Sequence, residues 1–211
     1  MIDIEVKSIQ MQPPILILDN TFKRVSKTQE NDEEYLISLE SYLRRTAYKN
    51  TTIKTDLTFF DDSDMKSEYT LVVVYDKISG TPLLSARHYF EKSTISKFLK
   101  GDNNIEIELT YNGEKFILDN FDGKIFLADR LSGNIKSAIY RQNRNKIFSL
   151  YYTEIVSKNK NCTLLLMVRK EIGDKQLNKY LKMDFSVIGS TLHKGKEHTI
   201  IVRDLKSVSR I

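Results

Sequence analysis

A chain of 211 residues, 40% hydrophobic and 29% charged, has the composition of a globular protein and the length of one domain. No apolar run approaches the roughly 20 residues of a bilayer-spanning helix, so no membrane partner is expected. The strand-like, acid-bearing start Met1, Ile2, Asp3, Ile4, Glu5 is not expected to be a signal peptide. Cys162 is the one cysteine, which excludes an internal disulfide and a cysteine-rich metal site and points to a reducing, cytoplasmic setting. The net charge of +5, with both signs scattered, permits phosphate-bearing partners without demanding one. His88, His193 and His198 lie far apart with no ligand spacing, so each reads as a strand or surface residue and no metal is expected.

Residues 2–9 alternate as a first strand, and 15–18 form a short extended piece after Pro13 and Pro14, which block a helix there. A helix is expected next. Asn31 and Asp32 can cap its amides, Glu33 and Glu34 suit the positive end of its dipole, and Arg44, Arg45 and Lys49 suit the other end. Tyr35, Leu36, Leu39, Tyr42 and Leu43 fall on one face of it. Residues 51–68 are polar; Asp61, Asp62 and Asp64 lack the glycine and distal glutamate of a calcium loop and read as a solvated loop.

Two apolar runs, 71–75 and 83–90, flank Asp76, Ser79, Gly80 and Pro82 and predict a hairpin. A short helix over 93–99 ends at Gly101. Runs 105–110 and 115–118 around Asn112 and Gly113 predict a second hairpin, an insertion on the main sheet. Residues 124–128 form a buried strand leading into a turn at 129–134. A basic loop follows, with Tyr140, Arg141, Arg144, Asn145 and Lys146, and then a helix carrying Ile147, Leu150, Tyr151, Ile155 and Val156 on one stripe. With the apolar run 163–168 this makes a βαβ unit, whose right-handed crossover sets 124–128 parallel to 163–168. A short amphipathic helix over 175–183 and two extended runs, 185–192 and 199–205, close the chain.

The best anion site in this pattern is the basic loop. A helix N-terminus offers unpaired amides, and arginine can hold phosphate oxygens through two bonds at once. The alternative is a solvated basic loop.

The order of elements resembles the GNAT superfamily of N-acetyltransferases over residues 71–205, with 1–70 as an N-terminal strand and helix region of the same single domain. Tyr180, Lys182, Asp184 and Phe185 are similar to the family's Tyr-x-Lys-x-Gly-Phe ending of its last helix, with Asp184 in place of glycine. Asp76 and Gly80 fit the family's strand, Asp-x-x-x-Gly, strand pair. Arg141 fits the first position of its pyrophosphate loop, while Arg144 and Lys146 stand where glycines are expected.

The resemblance implies an α+β, αβα sandwich-like fold around a mixed, mostly antiparallel sheet. It also implies an acetyl-CoA-dependent N-acetyltransferase, in which a primary amine on a small molecule or protein attacks the thioester directly within a ternary complex. Acetyl-CoA would lie where 124–128 and 163–168 splay apart, bordered by Ala128, Arg130 and Val168, with its pyrophosphate on Arg141, Arg144, Asn145 and Lys146. Tyr180 matches the residue that returns a proton to the departing thiolate. A phenol suits that role, since its pKa of about 10 lies above the roughly 8.5 of a thiol; the alternative for Tyr180 is an amphipathic core residue. Asp129 is the candidate base, with Glu154 second; an acid at a strand end is otherwise a capping or turn residue. Two other function classes stay open: a GNAT-like binding or structural module without catalysis and, ranked last, a nucleic-acid-binding protein using the same basic loop and Tyr140.

Overall fold

The structure, a computed structural model, describes residues 2–11, 36, 39–40, 42–43, 68–111, 113–172, 174–193 and 195–205. Within it run strands β1 (Ile4–Met11), β2 (Tyr69–Asp76), β3 (Thr81–Tyr89), β4 (Leu109–Tyr111), β5 (Glu114–Phe116), β6 (Lys124–Gly133), β7 (Cys162–Arg169), β8 (Ser186–His193) and β9 (Lys196–Leu205). The helices are α1 (Lys92–Lys100), α2 (Ala138–Lys158) and α3 (Asp174–Leu181). The main sheet has the order β1-β2-β3-β6-β7-β9-β8, and β4 and β5 form a separate pair. β6 and β7 are parallel, and the β1–β2, β2–β3, β7–β9 and β8–β9 pairs are antiparallel, so the sheet is mixed and mostly antiparallel, as expected.

The chain forms two compact units: Met1–His88 with Arg130–Ile155, and Tyr89–Asp129 with Val156–Ile211. In the first, Leu71 to Tyr75 of β2 are all buried, which explains an unbroken apolar run in place of alternation. Leu36, Leu39 and Leu43 are helical and buried, as the apolar stripe predicts, but Tyr42 is 53% exposed. Its phenol gains more from water than from an apolar layer. In its stead Glu40 is buried and forms an ion pair at 3.1 Å with Arg87 of β3, whose guanidinium also lies 4.9 Å from the Tyr69 ring centre. Tyr35, the caps of this helix, the piece at 15–18 and the polar loop at 51–67 lie outside the described residues.

Two sequence expectations fail in neighbouring stretches. β6 does not end at Ala128: it continues to Gly133 through residues whose composition reads as a turn. Asn134, at its end, is held by its amide to the Leu83 carbonyl (2.9 Å) and by its side chain to the Pro82 carbonyl (2.8 Å). Gly133 is required there, because a Cβ would meet the Tyr140 hydroxyl at 2.2 Å.

The second failure is the basic loop. α2 starts at Ala138, so residues 140–146 are helical apart from a kink at Asn143 (φ −114°, ψ 18°). Ser137 caps the start, its hydroxyl accepting the Tyr140 amide at 3.3 Å, and Arg, Gln and Lys are good helix formers. Polarity without glycine or proline made a helix resemble a loop. Tyr140, Ile147, Tyr151 and Ile155 form the buried stripe.

In the second unit α1 packs on β8, where the Thr191 hydroxyl donates to the Leu99 carbonyl at 2.6 Å. Gly101 ends α1 at φ +56°, with the Leu192 carbonyl 2.0 Å from where a Cβ would stand. Gly113 (φ +83°) turns the β4–β5 hairpin, although β4 is shorter than expected and Ile105 is 65% exposed. Asp204 of β9 accepts hydrogen bonds from Thr163 of β7 and Tyr111 of β4, both at 2.8 Å.

Candidate functional site

The parallel ladder between β6 and β7 runs from Lys124↔Cys162 to Ala128↔Leu166 and stops there. β7 continues through Met167, Val168 and Arg169, paired on its other side with Ile200, Thr199 and His198 of β9. Side chains alternate along each strand and paired residues share a face. Ala128, Leu166 and Val168 therefore lie on one face, all buried, while Asp129, Arg169, His198 and Thr191 lie on the other. Asp129 is thus the first residue past the ladder, half-buried and inside β6, where the sequence alone placed it in a turn.

Tyr180 sits on the last turn of α3, half-buried, with its ring 5.5 Å from that of buried Phe185 in an edge-on arrangement. The helix closes by a left-handed cap. Asp184 takes φ +60°, and the Phe185 amide reaches back to the Tyr180 carbonyl at 3.3 Å. This is the wrapped helix end that normally calls for glycine, completed by an apolar contact between the residue after the cap and the last turn. Aspartate tolerates the left-handed region better than most side chains, which explains how Asp184 stands where the family pattern has glycine. The Tyr-x-Lys-x-Asp-Phe stretch is therefore a helix stop that also orients the Tyr180 ring.

The basic residues belong to the first unit. Arg141 is exposed, but its guanidinium donates to the carbonyls of Ile135 and Lys136, both at 3.0 Å, bracing the turn before α2. Arg144, Asn145 and Lys146 follow the Asn143 kink and are exposed, with the Arg144 guanidinium 5.7 Å from the Phe148 ring centre. The Asn143 side chain donates to the Ile139 carbonyl at 3.0 Å. Arg130 lies in β6; its side chain is outside the described set. Glu154, the second candidate base, accepts a hydrogen bond from Ser8 at 3.1 Å. Tyr140 is only 5% exposed and offers no face for a base to stack on.

Sequence reasoning passed over His198. It is 7% exposed, opposite Arg169 on β7 and Thr191 on β8, with its Nδ1 2.9 Å from the Lys196 carbonyl oxygen. Its ring lies 5.9 Å from that of His193, which in turn lies 5.7 Å from Phe98 of α1. Burial holds the His198 pKa below its ordinary value, aided by Arg169, against the pull of the Lys196 carbonyl and of the Asp129 and Asp102 carboxylates. A lone histidine in a strand gives no signal until the register shows which charges face it. Among the described residues no group of three or more His, Cys, Asp or Glu is placed to hold a metal ion. Among the same residues, no helix is long and apolar enough to cross a membrane.

The strand order, with one parallel pair joined by a crossover helix and an antiparallel closing hairpin, makes a GNAT-like α+β fold. Among solved structures the chain is similar to the AHL synthase LasI, with a TM-score of 0.56 at 12% identity over 98% of this chain and 92% of that one. It is also similar to an acyl-CoA N-acyltransferase from Pseudomonas aeruginosa (TM-score 0.49, 8% identity, 96% and 99% covered). A third is Arabidopsis thaliana NAA60 in complex with acetyl-CoA (0.48, 13%, 79% and 93%). At such identities the likeness is one of fold. No protein-family model matches the sequence, and no curated protein sequence does.

Proposed function

We propose that the protein is an acyl-CoA-dependent N-acyltransferase that passes an acetyl group to a primary amine, on a small molecule or a protein, by direct attack within a ternary complex in the cytoplasm. The observation that carries this reading is the parallel ladder that stops at Ala128↔Leu166 while both strands continue. Strand backbone beyond a ladder can hydrogen-bond an extended, amide-bearing ligand as a further strand would. The pantetheine arm of acetyl-CoA is such a ligand, and Ala128 and Val168 are the buried residues on the apolar face there. In this reading Arg130, Arg141, Arg144, Asn145 and Lys146 serve the pyrophosphate, Asp129 attracts the amine and its proton, and Tyr180 returns a proton to the thiolate. Catalysis comes chiefly from positioning the two reactants, with backbone donors polarising the thioester carbonyl.

The test is a thermal titration of the pure protein with acetyl-CoA. Ligand at 100 times its dissociation constant adds about 2.7 kcal/mol of stability. An unmoved melting temperature at millimolar ligand removes the reading.

One observation favours a second reading, a binding module without turnover: Arg141 is already engaged by backbone carbonyls, and no glycine opens the backbone around Asn143. Tyr180→Phe separates the two. It retains the ring that packs on Phe185 and removes only the hydroxyl, so it slows an enzyme and leaves a binding module unchanged.

A further inference from the structure

On one face of the second unit, four elements bring titratable groups together around His198. Arg169 of β7 is its ladder partner, Asp129 of β6 lies on the same face just past the ladder, and the His193 ring of β8 is 5.9 Å away. Asp102 contributes from the turn after α1, where its carboxylate accepts the Gly195 amide at 2.5 Å. Lys196, on the same strand as His198, is held by Glu171 at 2.5 Å.

The hydrogen bond at Nδ1 decides the chemistry of the ring. A carbonyl oxygen can only accept, so Nδ1 carries the hydrogen, and in the neutral ring Nε2 keeps the free lone pair. Burial and Arg169 keep the ring neutral at ordinary pH, while Asp129 and Asp102 stand ready to stabilise the imidazolium once a proton arrives. A neutral imidazole of fixed tautomer with carboxylates nearby is the arrangement a proton acceptor needs.

We infer that His198 is the proton acceptor for the incoming amine, with Asp129 supporting the imidazolium that forms. The inference rests on the acyltransferase reading and reassigns Asp129 from base to partner. Nε2 takes one proton from the substrate ammonium, and the freed nitrogen lone pair forms the bond to the thioester carbon. Collapse of the tetrahedral intermediate breaks the carbon–sulfur bond. The departing thiolate takes its proton from Tyr180, the second nitrogen proton restores that phenol, and the imidazolium returns its proton to solvent.

The test uses the full-length chain, acetyl-CoA and a panel of primary amines from butylamine to spermine, between about pH 6 and pH 9.5. His198→Asn retains an N–H that can reach the Lys196 carbonyl but has no basic nitrogen. Its dissociation constant for acetyl-CoA stays within about twofold of wild type, while kcat/KM for the amine falls roughly 100-fold at pH 7. The deficit shrinks as pH rises and more amine arrives deprotonated. A deficit equal at every pH, or no deficit, overturns the proposal, as does a wild type that binds acetyl-CoA and acylates no amine of the panel. Should the variant not fold, the His198 ring proton is followed by NMR in wild type and in Asp129→Asn. The titration midpoint falls when the carboxylate is lost; an equal midpoint in both proteins overturns the proposal. Failure of the wild type to bind acetyl-CoA is a different result, visible before any variant is made, and removes the acyltransferase reading itself.

Discussion

Each unit buries a histidine, and the two differ because of what surrounds them. His88, on β3 of the first unit, is 1% exposed, and its Nε2 lies 2.8 Å from the Tyr151 hydroxyl. Burial alone brings its pKa down to about 3. His198 is nearly as buried, but it stands at a ladder end, faces Asp129, Asp102 and Arg169, and has its tautomer fixed by a backbone carbonyl. An imidazole sealed against a phenol is a core residue, whereas His198 is sealed among charges that pull its pKa in both directions. Solvent exposure does not separate the two; the charges on the neighbouring strands do.

The largest expected effect lies beside His88. Removing Arg87 while leaving Glu40 strands a buried carboxylate, since the two are 1% and 2% exposed. Arg87→Met therefore destabilises by about 3–5 kcal/mol in chemical denaturation. A loss near zero means that the pair is not the anchor of the first unit. Next comes pH. The folded pKa of His88 is depressed from 6.5 to about 3, so only the unfolded chain takes up this proton in that window. Stability is fully present above about pH 6.5 and falls as the pH drops toward 3, by up to about 1.4 kcal/mol per pH unit. Equilibrium unfolding of wild type and His88→Asn across this range shows a flatter profile in the variant; identical slopes contradict the assignment.

Smaller effects sharpen the comparison from the second unit. Gly101→Ala meets both a positive φ and the Leu192 carbonyl, and costs more than about 1 kcal/mol. A neutral result would mean that α1 does not seat on β8 in this way. The smallest change is a gain. Asp184→Gly relieves a left-handed aspartate and stabilises by up to about 1 kcal/mol, since its 3.9 Å contact with Arg203 is exposed and contributes little. A destabilised Asp184→Gly would give that aspartate a role beyond the cap.

Much of the fold was legible. The β-branched run of β2 and the leucine-rich run of β7 declared strands, Asn112 and Gly113 declared a hairpin, and the order strand, helix, strand from β6 to β7 declared a parallel crossover. What failed has physical causes. The Asp129 to Asn134 composition reads as a turn, yet β6 runs on to Gly133, and Asn134 just past its end is held by hydrogen bonds to the Pro82 and Leu83 carbonyls. The Ala138 start of α2 was missed because its cap, Ser137, precedes a polar helix face with little apolar signal. The Glu40–Arg87 pair and the setting of His198 depend on contacts between residues far apart in sequence, which no local pattern encodes. Asp184 was legible as an anomaly, and its positive φ turns that anomaly into a consistent helix stop.

The central claim, that an acyl-CoA binds where the parallel ladder stops, is tested most directly by backbone amide NMR of the intact chain titrated with acetyl-CoA. The largest saturable shifts are expected on Asp129, Met167 and Val168. Saturable shifts confined to other strands, or none at millimolar acetyl-CoA, would contradict it.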